Sequence, residues 1–199
     1  MIRRLLLVLA LAAPVLSAQN VAPLAPYAGT RVAVAPVQFF LVDTASWGAP
    51  SGLVLRAAFD SLLSEALNER GLSGTWVTPA DLLRAARRNV LYAGDPRNLG
   101  AFPVRYGTKK VTKFADPFAS NLRRIDALHD ARYVLVPVEL RVTVEKPGVG
   151  RLGMRLLLVD ARLSAPLWQT DLIGVSAAAY SPALLQKLAT QIADLVVAP

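Results

Sequence analysis

The chain has 199 residues, contains no cysteine and carries a formal charge of +8 at neutral pH. Its length suits one domain with short extensions, and a hydrophobic content of 54% supports a real core and excludes a disordered chain. The lack of cysteine excludes disulfides, thiolate metal sites, a cysteine nucleophile and a lipid-anchor cysteine.

The first residues have the layout of a secretory signal peptide. Arg3 and Arg4 give a positive start, residues 5–13 form an apolar block, and the small residues 17–18 precede a cleavage site. The block is shorter than the roughly 20 residues that span a bilayer, which argues against an uncleaved anchor. We therefore expect residues 1–18 to be a signal peptide and the mature chain to be periplasmic or secreted, with no transmembrane segment.

The remaining chain shows alternating strand and helix patterns. Residues 19–29, rich in Pro and Ala, are expected to form a flexible leader. Residues 39–50 are expected to form a loop. The other helices are predicted from apolar residues at helical spacing with capping residues at the ends, and the strands are predicted from β-type alternation of residues. The predicted helices are residues 51–70, 78–88, 120–130 and a last helix opening at Pro182, and the predicted strands are residues 31–38, 74–77 and 131–141.

The stretch from Arg151 to Val175 predicts a β-hairpin at the centre of a sheet. Its first arm is apolar on both faces, which is typical of a strand covered on both sides. Trp168, in the returning arm, is expected to lie in the core or cover the sheet. The two faces of the first arm are formed by Leu152, Met154, Leu156 and Leu158 and by Leu157, Val159 and Ala161.

This order of elements predicts a single α/β domain over residues 30–199. Early alternation of strand and helix favours parallel pairing, and the late hairpin adds antiparallel strands. We expect a mixed β-sheet of about five strands with helices packed on it, and a C-terminal β-hairpin followed by a helix. A basic insert, residues 89–116, interrupts the pattern, and a small hairpin is expected in it at residues 102–106 and 109–114.

Three stretches resemble a known periplasmic α/β domain. They are RVAVAPVQ, ALHDARYVLVPVEL and LLLVDARLSAPLWQ. They are similar to the domain shared by the curli-secretion protein CsgG, the amino-terminal domain of TolB and the lipoprotein activators of penicillin-binding proteins, which carry runs such as GADYVLVG and, later, LVDA and LW around a Thr-Gly turn. Residues 163–166 replace that Thr-Gly pair. The resemblance implies an envelope interaction or assembly module without catalytic residues, and the lack of paired amphipathic transmembrane hairpins argues against a secretion pore.

Positive charge is concentrated in one part of the chain. Between Arg84 and Arg124 there are ten lysines and arginines against two aspartates, so this part accounts for the whole net charge. Aromatic residues interleave with the cations, a composition that bears on partners rather than on fold. The predicted partner-binding residues are Arg97, Arg105, Tyr106, Lys109, Lys110 and Lys113.

The predicted export decides between partner classes for this insert. Cations beside stacking rings would indicate nucleic-acid binding in a cytoplasmic protein. Because the chain is expected to leave the cytoplasm, we expect an envelope protein or an anionic envelope surface and no nucleic acid. The alternative is a solvated charged loop that binds nothing.

Several motifs that could carry chemistry have simpler structural interpretations. Residues 148–153 match G-x-G-x-x-G, but a strand follows them and Pro147 favours a turn, so no dinucleotide site is expected. His129, the single histidine, has no second ligand or nucleophile at a suitable spacing. Glu65 and Glu69 lie on the wet face of a helix. We therefore expect no catalytic residue, no metal and no cofactor.

The functional hypothesis is an exported, non-enzymatic envelope protein that acts as a binding or assembly module through a basic aromatic surface. Two alternatives stay open. A small exported hydrolase would need His129 in a pocket with an acid and a hydroxyl. A homo-oligomeric structural subunit would add strands edge to edge.

Overall fold

A mixed β-sheet organises the chain. In residues 22–42, 47–108, 111–146 and 148–197, which the computed structural model describes, six strands form one sheet with helices packed on it and a helix after the last strand. This confirms the predicted fold class. The strands are β1 (Val32–Val34), β2 (Phe39–Val42), β3 (Trp76–Val77), β4 (Tyr133–Lys146), β5 (Val149–Asp160) and β6 (Ala165–Ile173). The α-helices are α1 (Gly52–Glu69), α2 (Pro79–Arg88), α3 (Val90–Ala93), α4 (Phe118–His129) and α5 (Pro182–Asp194).

The sheet has a parallel and an antiparallel part, as the order of elements predicts. The strand order is β3-β1-β4-β5-β6, and β2 runs beside β4 where β1 has ended. β1 pairs parallel with β3 and β4, and β2 pairs parallel with β4. β4, β5 and β6 are successive antiparallel strands. Gly148, at φ +78°, lies in the turn between β4 and β5, so the glycine motif opens a strand, as expected.

Strand β5 is covered on both faces over its second half, as its sequence predicts. Its two faces contribute to two separate hydrophobic cores, one with α1 and α5 and the other with α2, α4 and the insert. Each fully buried aliphatic side chain stabilises the fold by about 1.5–3 kcal/mol. Leu152, Met154, Leu156 and Leu158 belong to the first core, and Leu157, Val159 and Ala161 to the second.

Helix α2 begins as its sequence predicts. Thr78 and Asp81 form a capping box, in which the Thr78 hydroxyl accepts the Asp81 N–H at 3.3 Å and the Asp81 carboxylate accepts the Thr78 N–H at 3.2 Å. Pro79 occupies the first helical position, where no intrahelical N–H is needed. This start fixes the direction of α2 toward the insert.

Residues 22–29, which precede β1, are docked on the domain, whereas the sequence predicts a flexible leader over residues 19–29; residues 19–21 lie outside the described part of the chain. Leu24 is 1% exposed, and its N–H donates to the carbonyl of Leu195 at 2.7 Å. Tyr27 packs edge to face on Tyr133, with 5.0 Å between ring centroids. The apolar side chains of this Pro-rich stretch thus join the first core. Among the described residues, the buried members of both cores lie between positions 24 and 196.

Two expected irregular or hairpin segments have other structures. Residues 39–42 form β2 rather than a loop, because the second half of β4 supplies a parallel partner. In the insert, residues 102–104 form a 3₁₀ turn and residues 111–114 form no strand, so the expected hairpin is absent from the described part of the insert. Pro103 has no N–H to donate to a ladder, which disfavours a strand there.

The returning arm of the hairpin is an edge strand and does not lie at the centre of the sheet. Within the described residues, β6 pairs with β5 alone, and most of its side chains are partly or fully exposed. Trp168 is partly buried against the first core, as expected for a cover on the sheet. Polar residues such as Gln169 and Asp171 suit the face of β6 that lies away from the first core.

The predicted signal peptide, residues 1–18, lies outside the described residues. Among the helices of the described ranges, none has the length and apolarity needed to cross a bilayer.

Candidate partner-binding surface

One half of one sheet face is polar and is left open to solvent. The face that carries Val136 and Leu157 is buried in the second core, but further along the same strands it carries charged residues. A β-bulge in β4 between Pro137 and Glu139 marks the change. An open cleft of about 200 Å³ lies over this half. The residues that line it include Arg141 and Thr143 from β4, Arg151 and Arg155 from β5, and Asp171 and Ile173 from β6.

The insert fixes Arg105 on this open half. Glu139 is only 2% exposed, and its carboxylate accepts hydrogen bonds from both Arg105 and Arg141. Burial raises the pKa of Glu139, but the hydrogen bonds from the two guanidinium groups outweigh it and hold that pKa below its usual value. Glu139 is therefore a buried anion that ties the insert to the sheet.

A second ion pair continues the network toward the sheet edge. Arg155 donates to both carboxylate oxygens of Asp171, at 2.8 and 2.9 Å, in a bidentate pair. The hydrogen bond from Arg155 lowers the pKa of Asp171, and the same bond raises the pKa of Arg155. Nearby, the Gln169 side-chain carbonyl accepts from the N–H and hydroxyl of Thr108, so the insert is also fastened to β6.

Aromatic rings cover the outer side of Arg105. The Phe102 ring packs edge to face on Phe39 and on Tyr106, with centroid separations of 6.3 and 6.1 Å. The Arg105 guanidinium lies 5.3 Å from the Phe39 ring centre and 5.8 Å from that of Tyr106. Phe102 and Tyr106 are nevertheless 60% and 76% exposed. We call this group of residues the aromatic–arginine surface. It comprises Phe39, Phe102, Arg105 and Tyr106 together with Glu139, Arg141, Arg155 and Asp171.

The predicted binding residues are only partly brought together. Arg105 and Tyr106 lie on the aromatic–arginine surface. Arg97 lies elsewhere, with its guanidinium 3.2 Å from the carboxylate of Asp60 on α1. Lys113 is exposed near the end of the insert, before α4. Lys109 and Lys110 lie outside the described residues.

Sequence reasoning missed the strand residues of this surface. Glu139, Arg141, Arg155 and Asp171 interrupt otherwise apolar strands at alternate positions. Charged residues two apart in a strand point to one face, so this alternation was the available signal. The buried apolar residues that dominate β4 and β5 mask this alternation in the sequence.

His129 and its surroundings bear on the hydrolase alternative. His129 lines an open cleft of about 210 Å³ together with Arg31, Ser73 and Asp81. Burial lowers the pKa of His129, Arg31 lowers it further, and Asp81 raises it by less. The Asp81 carboxylate is held at 2.8 Å by the Thr78 hydroxyl and at 3.2 Å by Arg84. The cleft thus gathers an acid, a hydroxyl and an imidazole, but the acid is bonded to the helix cap.

No group of three or more potential metal-ligating side chains is placed to hold an ion within the residues that the structure describes.

Comparison with known proteins gives structural likenesses without a family. No family model matches the chain, and no curated protein matches it in sequence. PelC from Paraburkholderia phytofirmans, solved as a dodecamer, is 14% identical over 86% of this chain and 91% of its own, with a TM-score of 0.42. Lipoprotein GNA1162 from Neisseria meningitidis is 17% identical over 83% of this chain and 96% of its own, with a TM-score of 0.40. LpoB from E. coli is 15% identical over 79% of this chain and 66% of its own, with a TM-score of 0.39.

These three TM-scores lie below 0.5, so the likenesses carry no argument about function or assembly. None of the three is CsgG or TolB, the proteins whose domain the sequence resembles.

Proposed function

We propose that this chain is an exported, non-catalytic binding module of the cell envelope that holds a protein partner on the aromatic–arginine surface. The observation that carries the proposal is the exposure of Phe102 and Tyr106, 60% and 76%, on a segment that Arg105 pins to the buried carboxylate of Glu139. Exposed rings on a fixed support lose little side-chain entropy when a partner covers them.

The composition of the surface supports a protein as the partner. Aromatic residues and arginine are enriched at the centres of protein interfaces and carry most of the binding free energy there. Here two exposed rings stand beside Arg105, Arg141 and Arg155 in one patch. The arginines are largely neutralised by Glu139 and Asp171, so the patch favours a mixed apolar and hydrogen-bonding contact over a purely anionic ligand.

The bonding of the charged groups supports a binding role over a catalytic one. Glu139 accepts from two arginines, and Asp171 is held by a bidentate arginine. The pKa of Asp171 is lowered by the bond from Arg155, which keeps this carboxylate ionised at neutral pH. A general base near neutral pH needs the opposite shift. The envelope location in the proposal rests on the signal-peptide pattern of residues 1–18.

The proposal is tested by capture from detergent-solubilised envelope extract of the producing cells. The bait is the tagged chain starting at residue 19, and captured proteins are identified and then titrated as purified components. Loss of a central tyrosine from an interface commonly costs 2 kcal/mol or more, so Tyr106→Ser should weaken the partner's affinity by roughly 30-fold. The control is Leu53→Ser, which changes a similarly exposed apolar side chain on α1, away from this surface.

Three results would contradict the proposal. Capture that is equal for the Tyr106→Ser variant and the wild type would show that the surface is not used. Equal loss in the Leu53→Ser variant would show that the effect of Tyr106→Ser is not specific to the aromatic–arginine surface. Self-association of the wild type by light scattering, dispersed by Tyr106→Ser, would make the chain a homo-oligomeric subunit instead.

A further inference from the structure

Three consecutive apolar residues on α3 project into solvent. Val90, Leu91 and Tyr92 are 75%, 93% and 72% exposed. α2 ends before Asn89, and α3 ends before Gly94, whose φ is +63°. The short segment between these two residues projects outward. Isolated surface leucines are common, but a contiguous apolar projection of this kind indicates a contact site.

The projection is held in place by the helices on either side. The Asn89 side-chain amide donates to the carbonyl of Ala85 at 3.0 Å, and the carbonyl of Asn89 accepts the Tyr92 N–H at 3.0 Å. α3 packs against both α2 and α4. The apolar side chains are therefore presented by the fold and are not the end of a loose loop.

Arginines without acidic partners surround the projection. Arg87 and Arg88 form the last turn of α2, and Arg124 on α4 lies beside Gly94. Within the residues that the structure describes, no carboxylate lies within 4.0 Å of these three guanidinium groups, whereas Arg84 is bridged to Asp81 and Arg97 to Asp60. We call Arg87, Arg88, Val90, Leu91, Tyr92 and Arg124 the α3 tip.

An open cleft of about 540 Å³ lies behind the α3 tip. It is lined by Leu83, Ala86, Arg87 and Val90 and, across from them, by Asp95 and Arg97. Asp95 is directed to the backbone, since its carboxylate accepts the Arg97 N–H at 2.9 Å. The cleft therefore adds apolar surface beside the tip, and its lining also includes the carboxylate of Asp95.

We infer that the α3 tip inserts into the surface of an anionic phospholipid membrane. The headgroup region of a bilayer takes apolar side chains to a depth of about 5–10 Å and aromatic rings at its boundary, which fits Leu91 flanked by Val90 and Tyr92. Arginines around such a projection meet lipid phosphates, each worth about 1 kcal/mol near an anionic surface. A protein partner would have to supply both an apolar pocket and several acids, whereas an anionic bilayer supplies both everywhere.

This surface is separate from the aromatic–arginine surface, and the inference does not depend on the proposed function. The chain has no cysteine, so one introduced thiol can be labelled cleanly. Leu91→Cys carrying an environment-sensitive fluorophore is mixed with phosphatidylcholine vesicles with and without phosphatidylglycerol. The control is Leu53→Cys, which replaces a 66% exposed leucine on α1. Both proteins start at residue 19.

The label at position 91 should shift to the blue with phosphatidylglycerol vesicles, and the label at position 53 should not. Sedimentation with the same vesicles measures the affinity of unlabelled variants. Leu91→Ser should lower the partition coefficient roughly tenfold, and Arg87→Gln with Arg88→Gln should lower it about tenfold or more. Lys146→Gln with Lys187→Gln removes the same charge elsewhere, at two exposed positions, and should change it less than twofold.

Each other outcome would overturn the inference. A blue shift at position 91 that needs no vesicles and grows with protein concentration would assign the α3 tip to a second copy of the chain. Equal losses in the Arg87/Arg88 and Lys146/Lys187 variants would mean that net charge alone, and not the α3 tip, causes the binding. If the Leu91→Ser variant sediments with vesicles as well as the wild type does, the α3 tip does not contact the membrane.

Discussion

A single buried carboxylate joins three parts of the chain. Asp60 on α1 is 3% exposed; it accepts the N–H of Val37 at 3.0 Å and the guanidinium of Arg97 at 3.2 Å. Val37 lies in the break between β1 and β2, where the chain leaves the ladder. Burial raises the pKa of Asp60 to about 6, because it outweighs the bonds from Val37 and Arg97 that lower it.

This raised pKa gives a stability change with a defined sign. The unfolded pKa is 3.8, so between about pH 4 and pH 6 the native chain binds more protons at Asp60 than the unfolded chain does. The contribution of this group to the free energy of unfolding therefore falls as pH rises through that window, by at most about 3 kcal/mol. Asp60→Asn should remove this fall while keeping an acceptor for Val37.

Urea unfolding of both proteins across this pH range measures the effect as a difference. The difference is needed because carboxylates such as Asp171, whose pKa the bond from Arg155 lowers, contribute the opposite slope. Parallel curves for the wild type and the Asp60→Asn variant would mean that Asp60 stays ionised in the native state down to its unfolded pKa.

Individual elements differ in how much of their structure can be predicted from the sequence. α1 and β5 can be predicted from the sequence because their buried residues recur at the spacing of a helix or a strand, as Leu152, Met154 and Leu156 do in β5. The structure of the insert cannot be predicted from the sequence in this way, because individual polar contacts with residues far away in the sequence hold it in place. The Gln38 side chain, for example, donates to the carbonyl of Pro96 and accepts the N–H of Leu99, each at 2.9 Å.

The two halves of the aromatic–arginine surface also differ in how far they can be predicted from the sequence. Its insert half, Arg105 and Tyr106, could be chosen from composition, since cations and rings cluster there in the sequence. Its strand half could be predicted only as a charged face of the strands, because the register that sets Glu139 opposite Arg155 depends on a β-bulge that no local sequence pattern indicates. Pairing across strands, and not composition, decides which charges meet.

The hairpin of β4 and β5 meets the rest of the chain at a close contact that can be tested. A Cβ on Gly150 would lie 2.7 Å from the ring of Trp47, which is 3% exposed and donates to the carbonyl of Ala177 at 2.9 Å. Gly150→Ala must displace this ring or the strand, so we expect a loss of about 1–3 kcal/mol in the free energy of unfolding. Gly29→Ala, where nothing lies within 4 Å, is the control. Equal urea midpoints for the two variants would contradict the close contact.

At the scale of the whole molecule, ion pairing divides the basic residues that cluster between Arg84 and Arg124. Arg97 is paired with Asp60 and Arg105 with Glu139, two acids from elsewhere in the fold. Among the residues that the structure describes, no carboxylate lies within 4.0 Å of Arg87, Arg88 or Arg124 of the α3 tip. The first two cations are thus held within the fold, whereas the three at the tip stay available for an anionic surface.

The two ends of the described chain close on each other, and this predicts a measurable stability term. Leu24 is buried beneath the end of α5 and bonded to Leu195, and Tyr27 accepts the Trp76 indole N–H at 3.2 Å. A chain starting at residue 29 loses these contacts and exposes part of the first core to water. Compared with a chain starting at residue 19, its Tm should be lower by roughly 5–10 °C, as expected for losing one large buried side chain and its neighbours.

Two point variants separate packing from chain length in this experiment. Leu24→Ala should reproduce most of the Tm decrease, because the buried side chain and not the backbone supplies most of the stability. Leu163→Ala, at a 58% exposed leucine between β5 and β6, should leave Tm unchanged. If removal of residues 19–28 leaves Tm at the value of the longer chain, the segment is peripheral and the first core is complete without it. Because the segment precedes β1 and contacts both α5 and β3, a decrease in Tm would show that the chain termini are joined through the first core.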